Sequence, residues 1–449
     1  MMEYIVAVNY LAITFYLLFY LYILKRYPSL MVIFFYFIYG YLSMVVSVFY
    51  LDFGGKFAFE VNKVSYHSYS VSLLTLFYTS AFVIFILLFR KELSKKNIAL
   101  NLYRNVLQNK NWLTPNYIKL YLVFAILFIL VIYAHLIYSG IPILLGYGKG
   151  QFWLYAKIPF FNVLHNQTST LLFIAGVLYS YSYQYKEKDH SYLPLKKWFR
   201  ITLYLYLVYI VLMGYKFGGP LLYLFCFFIS TLIIRSVSKG FNIKLIVKYV
   251  LIFSAFIIPI ILYIYNVILK FGDKAAGLLF DRVFTLQGQV WHFIYNMVDT
   301  GDIKPQISQF YNEIFHLLGS VHSSDVGMNY LMQFILPTAR LESYIEGGVR
   351  LSGGYPANLF VIFDNYLIIA IIHIVMVLII GLLHLGLFKS IIRFQLVRSL
   401  IWFKLAFLSE GYLFMGDLNT VFSKKALIYL IFLTLIYFYE YRKGKIKTV

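Results

Sequence analysis

Apolar runs of about twenty residues recur from one end of this chain to the other, each long enough to cross a hydrocarbon core as a helix. No water reaches that core, so backbone N–H and C=O groups must be satisfied within the spanning structure, which leaves helices or closed barrels. Strands of alternating apolar and polar residues are not in the sequence, so helices are expected. With 449 residues, 61% hydrophobic and only 13% charged, the chain cannot be an ordinary soluble domain. The expected fold class is an all-α polytopic membrane protein. Spans are expected near residues 4–23, 30–51, 69–89, 117–138, 168–183, 201–215, 221–234, 245–269, 366–388, 399–415 and 426–439, about eleven transmembrane helices in all. Met1-Met2-Glu3 lacks the basic start and small-residue cleavage site of a signal peptide, so the first run is expected to stay as a span.

A formal charge of +21 raises the question of nucleic acid, but the basic residues lie between apolar runs rather than on one surface. Lys and Arg in short loops are retained on the cytoplasmic side, and loop after loop here alternates between basic and less basic. The basic set includes Lys25 and Arg26, Arg90 to Lys110, Lys186 to Lys197, Arg235 to Lys244, Lys389 and Arg393, and the tail from Arg442. An amino terminus outside, a carboxyl terminus inside and no nucleic-acid partner follow as expectations. The sole cysteine, Cys226, sits in an apolar run and excludes a disulfide within the chain or a cysteine-based metal site.

One long polar interruption, residues 270–355, separates an amino-terminal bundle (1–269, about eight spans) from a carboxyl-terminal set (366–449, about three). The loop domain, 270–365, falls on the outer face. It holds Arg282, Gln287, Gln289, His292, His316, His322, Arg340, Glu342, Glu346 and Arg350, with glycines at 347, 348, 353 and 354. Residues 278–298 carry helical apolar spacing and are expected to form an amphipathic helix across the bundle mouth. Pro337 should break a helix ahead of Arg340. The two arginines and two glutamates between 340 and 350 either neutralise one another or divide their work. In the second case guanidinium forks clamp a diphosphate while a carboxylate or His322 takes a proton from an attacking hydroxyl. A lipid-linked anion meeting basic groups at the mouth of a helical bundle is the substrate class that position suggests, and a lipid diphosphate leaves readily without ATP.

Other outer-face features are ambiguous at this level. The segment 139–165, with Trp153 and Tyr155, suits either an interfacial aromatic belt or sugar stacking. Lys216, in the turn Gly214-Tyr215-Lys216-Phe217-Gly218-Gly219-Pro220, either snorkels to lipid phosphates or meets a ligand. His373 and His384 share one helix face, without an acidic neighbour in their own span. They read as interhelical hydrogen-bonding groups, with a proton relay or acyl transfer as the functional alternative. Phosphate-loop, GxGxxG, HExxH and DxD signatures are absent, so a metal-independent mechanism with no cofactor is the default.

At 214–225, 282–291 and 319–366 the chain resembles the bacterial O-antigen polymerase (Wzy-type) family, with Lys216 where many members carry arginine. Residues Gly353-Gly354-Tyr355-Pro356-Ala357-Asn358-Leu359 to Asp364 resemble the family's re-entry segment after its large loop. The resemblance implies a GT-C-like bundle in the bacterial inner membrane with one large extracytoplasmic loop. It also implies a glycosyltransferase that polymerises oligosaccharide repeat units carried on undecaprenyl diphosphate. In that reading Lys216, Arg282, Arg340 and Arg350 bind the diphosphate, and His322, Glu342 or Asp364 is the base. Gln287, Gln289, Trp291 and Asn358 contact the glycan. Implied partners are the lipid-linked oligosaccharide, membrane lipid and a chain-length regulator protein. The competing readings are an O-antigen ligase, a flippase or other transporter of the same lipid-linked unit, and an acyltransferase using His373. Transport predicts charge within the spans; the spans read as nearly free of it, Lys404 being the main exception.

Overall fold

A computed structural model describes residues 2–58, 61, 67–94, 114–145, 152–153, 156–158, 160–185, 190–215, 218–238, scattered positions between 255 and 266, 272, 274–346 and 349–442. The described residues are helical, with no strand among them. In chain order the principal helices are α1 (Met2–Arg26), α2 (Pro28–Ile33), α3 (Phe35–Asp52), α4 (Ser70–Ser94), α5 (Pro115–Ser139), α6 (Thr168–Tyr185), α7 (Leu195–Leu212) and α8 (Gly218–Ser238). Then come α9 (Lys274–Phe284), α10 (Gln289–Asp299), α11 (Ile307–Leu318), α12 (Gly327–Ile335), α13 (Thr338–Glu346), α14 (Ala357–Ile362), α15 (Tyr366–Ile392), α16 (Leu396–Met415), α17 (Leu418–Val421) and α18 (Lys424–Arg442).

Among the described residues, six helices are long and apolar enough to cross a membrane: 3–26, 35–52, 70–93, 115–145, 218–237 and 366–392. Helices α6, α7, α16 and α18, also expected as spans, have 18 to 20 residues. Six of the eleven expected spans are thus matched by length and apolar character among the described residues. The expected span at 30–51 is two helices that meet at Phe34, whose ring stacks on Phe85 at 3.9 Å and lies 4.5 Å from His384. The span at 245–269 lies almost wholly outside the described residues.

The chain folds as two compact units, one of 1–91, 278–387 and 397–449, the other of 92–277 and 388–396. In the second unit α6 crosses α8 so closely that a Cβ at Gly176 would run into the Phe227 carbonyl. Tyrosine hydroxyls there reach across to backbone carbonyls, Tyr133 to Leu205 at 2.8 Å and Tyr206 to Ala125 at 3.2 Å. Burying a tyrosine among apolar helices costs less when its hydroxyl finds such an acceptor.

In the first unit the expected amphipathic helix at 278–298 is in fact two helices, α9 and α10, separated by the turn 285–288. Helix α10 does not lie across a mouth. It is inserted against α3, α12 and α14, and every residue from Gln289 to Asn296 is buried. Its entry depends on Gly288, where a Cβ would crowd Val48 and the Met44 carbonyl, and Ser47 Oγ accepts the Gly288 N–H at 2.9 Å. Pro337 separates α12 from α13, as its missing N–H requires.

Candidate functional site

The first unit contains two buried carboxylate clusters. At the end of α3, Asp52 accepts hydrogen bonds from Ser68 Oγ at 2.7 Å, Ser70 Oγ at 2.9 Å and the Val71 N–H at 2.9 Å. It thereby closes the start of α4, where unpaired N–H groups favour a carboxylate. His292 Nδ1 from α10 lies 3.1 Å from Asp52 Oδ1, and both side chains are fully buried. The indole N–H of Trp291 donates to the Ser70 carbonyl at 2.9 Å.

The second cluster is built where the chain leaves α16. Asp417 follows Gly416, a left-handed position with φ +72, and its carboxylate splits its bonds. Oδ1 accepts the Met328 N–H at 2.6 Å, and Oδ2 pairs with Arg350 Nη1. One residue earlier on α12, the Gly327 N–H donates at 2.6 Å to Glu313 Oε1 of α11. Two carboxylates therefore share the opening turn of one short helix. Gly327 has φ +56, and a Cβ there would overlap Asp417 Oδ1, so only glycine allows the approach. Gly353 and Gly354 donate to the Phe414 carbonyl at 2.9 and 3.1 Å, which fixes the strand of chain carrying Arg350 beside Asp417.

Burial pushes the Glu313 carboxyl up to about 7; Asp417 adds to the rise, and the Gly327 N–H and Arg350 oppose it. Asp417 is also raised by burial, with Arg350, the Met328 N–H and His316 pulling the other way. Glu313 is 1% exposed and its Oε2 has no hydrogen-bond partner among the described residues, nor has Asn358 Oδ1. Such orphans call for an explanation, because a buried polar atom left unpaired is costly. The Arg350 side chain is 39% exposed, so a guanidinium with five N–H donors is anchored on one side and open to solvent on the other.

Of the expected diphosphate-binding residues, only Arg350 enters this cluster. Arg282 is exposed and Arg340 half-buried on α13, while Lys216 lies outside the described residues, as do Gly347 and Gly348. The expected bases His322, Glu342 and Asp364 are all exposed. Glu342 and Glu346 lie on α13, which buries none of its residues, and of the two arginines near them Arg350 pairs with Asp417. Of the expected glycan contacts, Gln289 and Trp291 are buried packing residues. Gln287 accepts from Ser352 Oγ at 2.8 Å, and Asn358 donates to the Gly416 carbonyl at 2.7 Å beside the cluster.

Sequence reasoning missed Glu313 and Asp417. Glu313 sat within the polar stretch without a partner nearby in sequence, and Asp417 is 67 residues from Arg350. The glycine before Asp417 was the available signal. A further acidic group, Glu410 on α16, gives His384 on α15 a partner on a facing helix, as expected of an interhelical hydrogen-bonding group, and adds to Lys404 a second charge in the expected span 399–415: its Oε1 lies 3.2 Å from His384 Nε2. Among the described residues no cluster of three or more histidine, cysteine, aspartate or glutamate residues is placed to hold a metal.

Fold and site together define the class: an all-helical, membrane-embedded chain with a buried carboxylate pair and a half-open arginine beyond the ends of its apolar helices. A family of unknown function (DUF6418) matches residues 322–430, less than half of the chain. That match takes in Arg350, Asp417 and both helix-borne histidines but stops short of Glu313. No curated protein and no solved structure matches the chain.

Proposed function

We propose that this protein is a glycosyltransferase of the O-antigen polymerase type, joining oligosaccharide repeat units carried on undecaprenyl diphosphate at the outer face of the bacterial inner membrane. The observation that supports this most is the pairing of Arg350 with Asp417 next to Glu313. An arginine held by one buried carboxylate keeps its fork oriented while its exposed donors meet an incoming diphosphate. Glu313, with one oxygen unbonded and a carboxyl that titrates near neutrality, is the proton acceptor. The hydroxyl of the incoming unit's non-reducing end loses its proton to Glu313, and its oxygen bonds to the anomeric carbon of the growing chain. The bond from that carbon to phosphate breaks, and undecaprenyl diphosphate leaves with the electron pair, its charge met by Arg350.

The test is the surface glycan ladder of a deletion strain complemented with native protein or with Arg282→Ala, Arg340→Ala or Arg350→Ala at matched levels. Collapse of the ladder to a single capped repeat unit, rescued by the native gene and by Arg282→Ala but not by Arg350→Ala, is the expected result. An unchanged ladder, or loss of even the single-unit cap, overturns the reading in favour of a ligase or transporter. The transporter reading draws on one observation of its own, the buried His384–Glu410 pair within two long helices.

A further inference from the structure

Helix α11 is inside out. Outside a membrane, an amphipathic helix turns its apolar stripe inward and its polar stripe to water. Here Ile307, Tyr311, Ile314, Phe315 and Leu318, spaced to share one face, are 52%, 54%, 38%, 48% and 71% exposed. The opposite face carries Gln309, Asn312, Glu313 and His316, at i, i+3, i+4 and i+7, and these turn into the protein. Each has partners there. Gln309 Nε2 donates to the Asp325 carbonyl at 2.6 Å, Asn312 Nδ2 to Gln309 Oε1 at 3.2 Å, and His316 Nδ1 to the Val321 carbonyl at 2.7 Å. Glu313 takes the Gly327 N–H. Two of these contacts, Gln309 with the Asp325 carbonyl and Glu313 with the Gly327 N–H, hold the polar face against chain beyond the helix, so rolling the helix to hide its apolar side would break both.

The position of α11 indicates what covers the apolar face. The Gln306 N–H, at its start, donates to the Val361 carbonyl at 2.8 Å, and Phe310 packs on Phe363 with ring centroids 5.8 Å apart. Three residues after Phe363 begins α15, one of the six helices long and apolar enough to span, and its first turn exposes Tyr366, Leu367 and Ile368. The exposed stripe therefore lies at the end of a spanning helix, where Tyr and Phe suit the boundary between headgroups and acyl chains.

We infer that α11 lies in the plane of the bilayer at that boundary, its Ile307–Tyr311–Ile314–Phe315–Leu318 face in contact with lipid and its polar face forming one wall of the Glu313–Asp417 cluster. This holds whether or not the protein is a glycosyltransferase, because it follows from the two faces of the helix and its attachment to α15.

The test uses the full-length protein with Cys226→Ser, the sole native cysteine removed, and single cysteines introduced as Ile314→Cys, Leu318→Cys and, as a water-facing reference, Asp302→Cys. Each carries a nitroxide label and is reconstituted in phosphatidylethanolamine–phosphatidylglycerol vesicles. Collision with oxygen and with a water-soluble nickel complex is then read by electron spin resonance. Expected are several-fold lower nickel accessibility and higher oxygen accessibility at 314 and 318 than at 302. Nickel accessibility at 314 and 318 equal to that at 302 overturns the inference. So does dipolar broadening between copies, which would make the stripe a contact with a second copy of the chain. Repeating the measurement at Ile307→Cys and Tyr311→Cys guards against a single label perturbing the helix.

Discussion

The Asp52 cluster and the Glu313–Asp417 cluster share a plan: a carboxylate at the start of a helix, buried, with histidine nearby. They differ in how completely they are satisfied. Asp52 receives two serine hydroxyls, one backbone N–H and the His292 ring, and nothing in the cluster reaches solvent. Glu313 has an oxygen without a partner among the described residues, and the charge that balances Asp417 comes from an arginine more than a third exposed. A closed polar network gives up its reactivity for rigidity, whereas an incompletely satisfied one holds potential for a ligand. The first cluster accordingly reads as a joint between α3, α4 and α10, and the second as the site.

The contrast can be broken by substitution. The largest effect on stability is expected for Asp52→Ala, which strands two hydroxyls, an N–H and a buried imidazole: about 3–5 kcal/mol, read from thermal unfolding in detergent. Gly327→Ala should follow at about 1–3 kcal/mol, since alanine is strained at φ +56 and its methyl group would displace Asp417. An equal loss from the two would show that the second cluster is no more open than the first.

Glu313→Gln should act through pH. A carboxyl raised from 4.5 to about 7 binds a proton in the folded protein that the unfolded chain has released, so its contribution is full below about 4.5 and is lost as pH rises through 7. That amounts to about 3 kcal/mol at most. The glutamine variant should therefore flatten the fall in stability between those values, and a slope identical to that of the native protein would remove Glu313 from the argument. If Glu313 is the base, native polymerisation rises with pH through about 7 and the variant loses it. The smallest structural effect belongs to Arg350→Lys, about 1 kcal/mol or less because the pair is partly solvated. Under the proposed function it still impairs polymerisation, because an ammonium cannot reproduce the fork.

What was legible in the sequence was what is local. Apolar runs mark helices within their own length, and Pro337 breaks a helix where it stands. Arg350 could be singled out because charge is rare in this chain. Its partner was harder to find, because Asp417 follows a different helix 67 residues on, and the glycine before it is the one local signal. The turn at 285–288 was hidden by apolar spacing that continues across it, and only the packing of Gly288 on Met44 and Val48 decides the break. The exposure of His322, Glu342 and Asp364 was hidden for the opposite reason: they are polar residues in a polar stretch, and composition does not distinguish a solvated side chain from a buried one.

A last consequence concerns His373. Ser80 Oγ lies 2.8 Å from both the Phe77 carbonyl and His373 Nε2, and the Tyr355 hydroxyl bonds to the other ring nitrogen, Nδ1. The bonds run from tyrosine through imidazole and serine to a backbone carbonyl, like a line of links each fastened to the next. With both ring nitrogens engaged, this histidine is a tie rod between α4, α15 and the chain beside Gly354. It joins the apolar helices to the segment on which Arg350 sits.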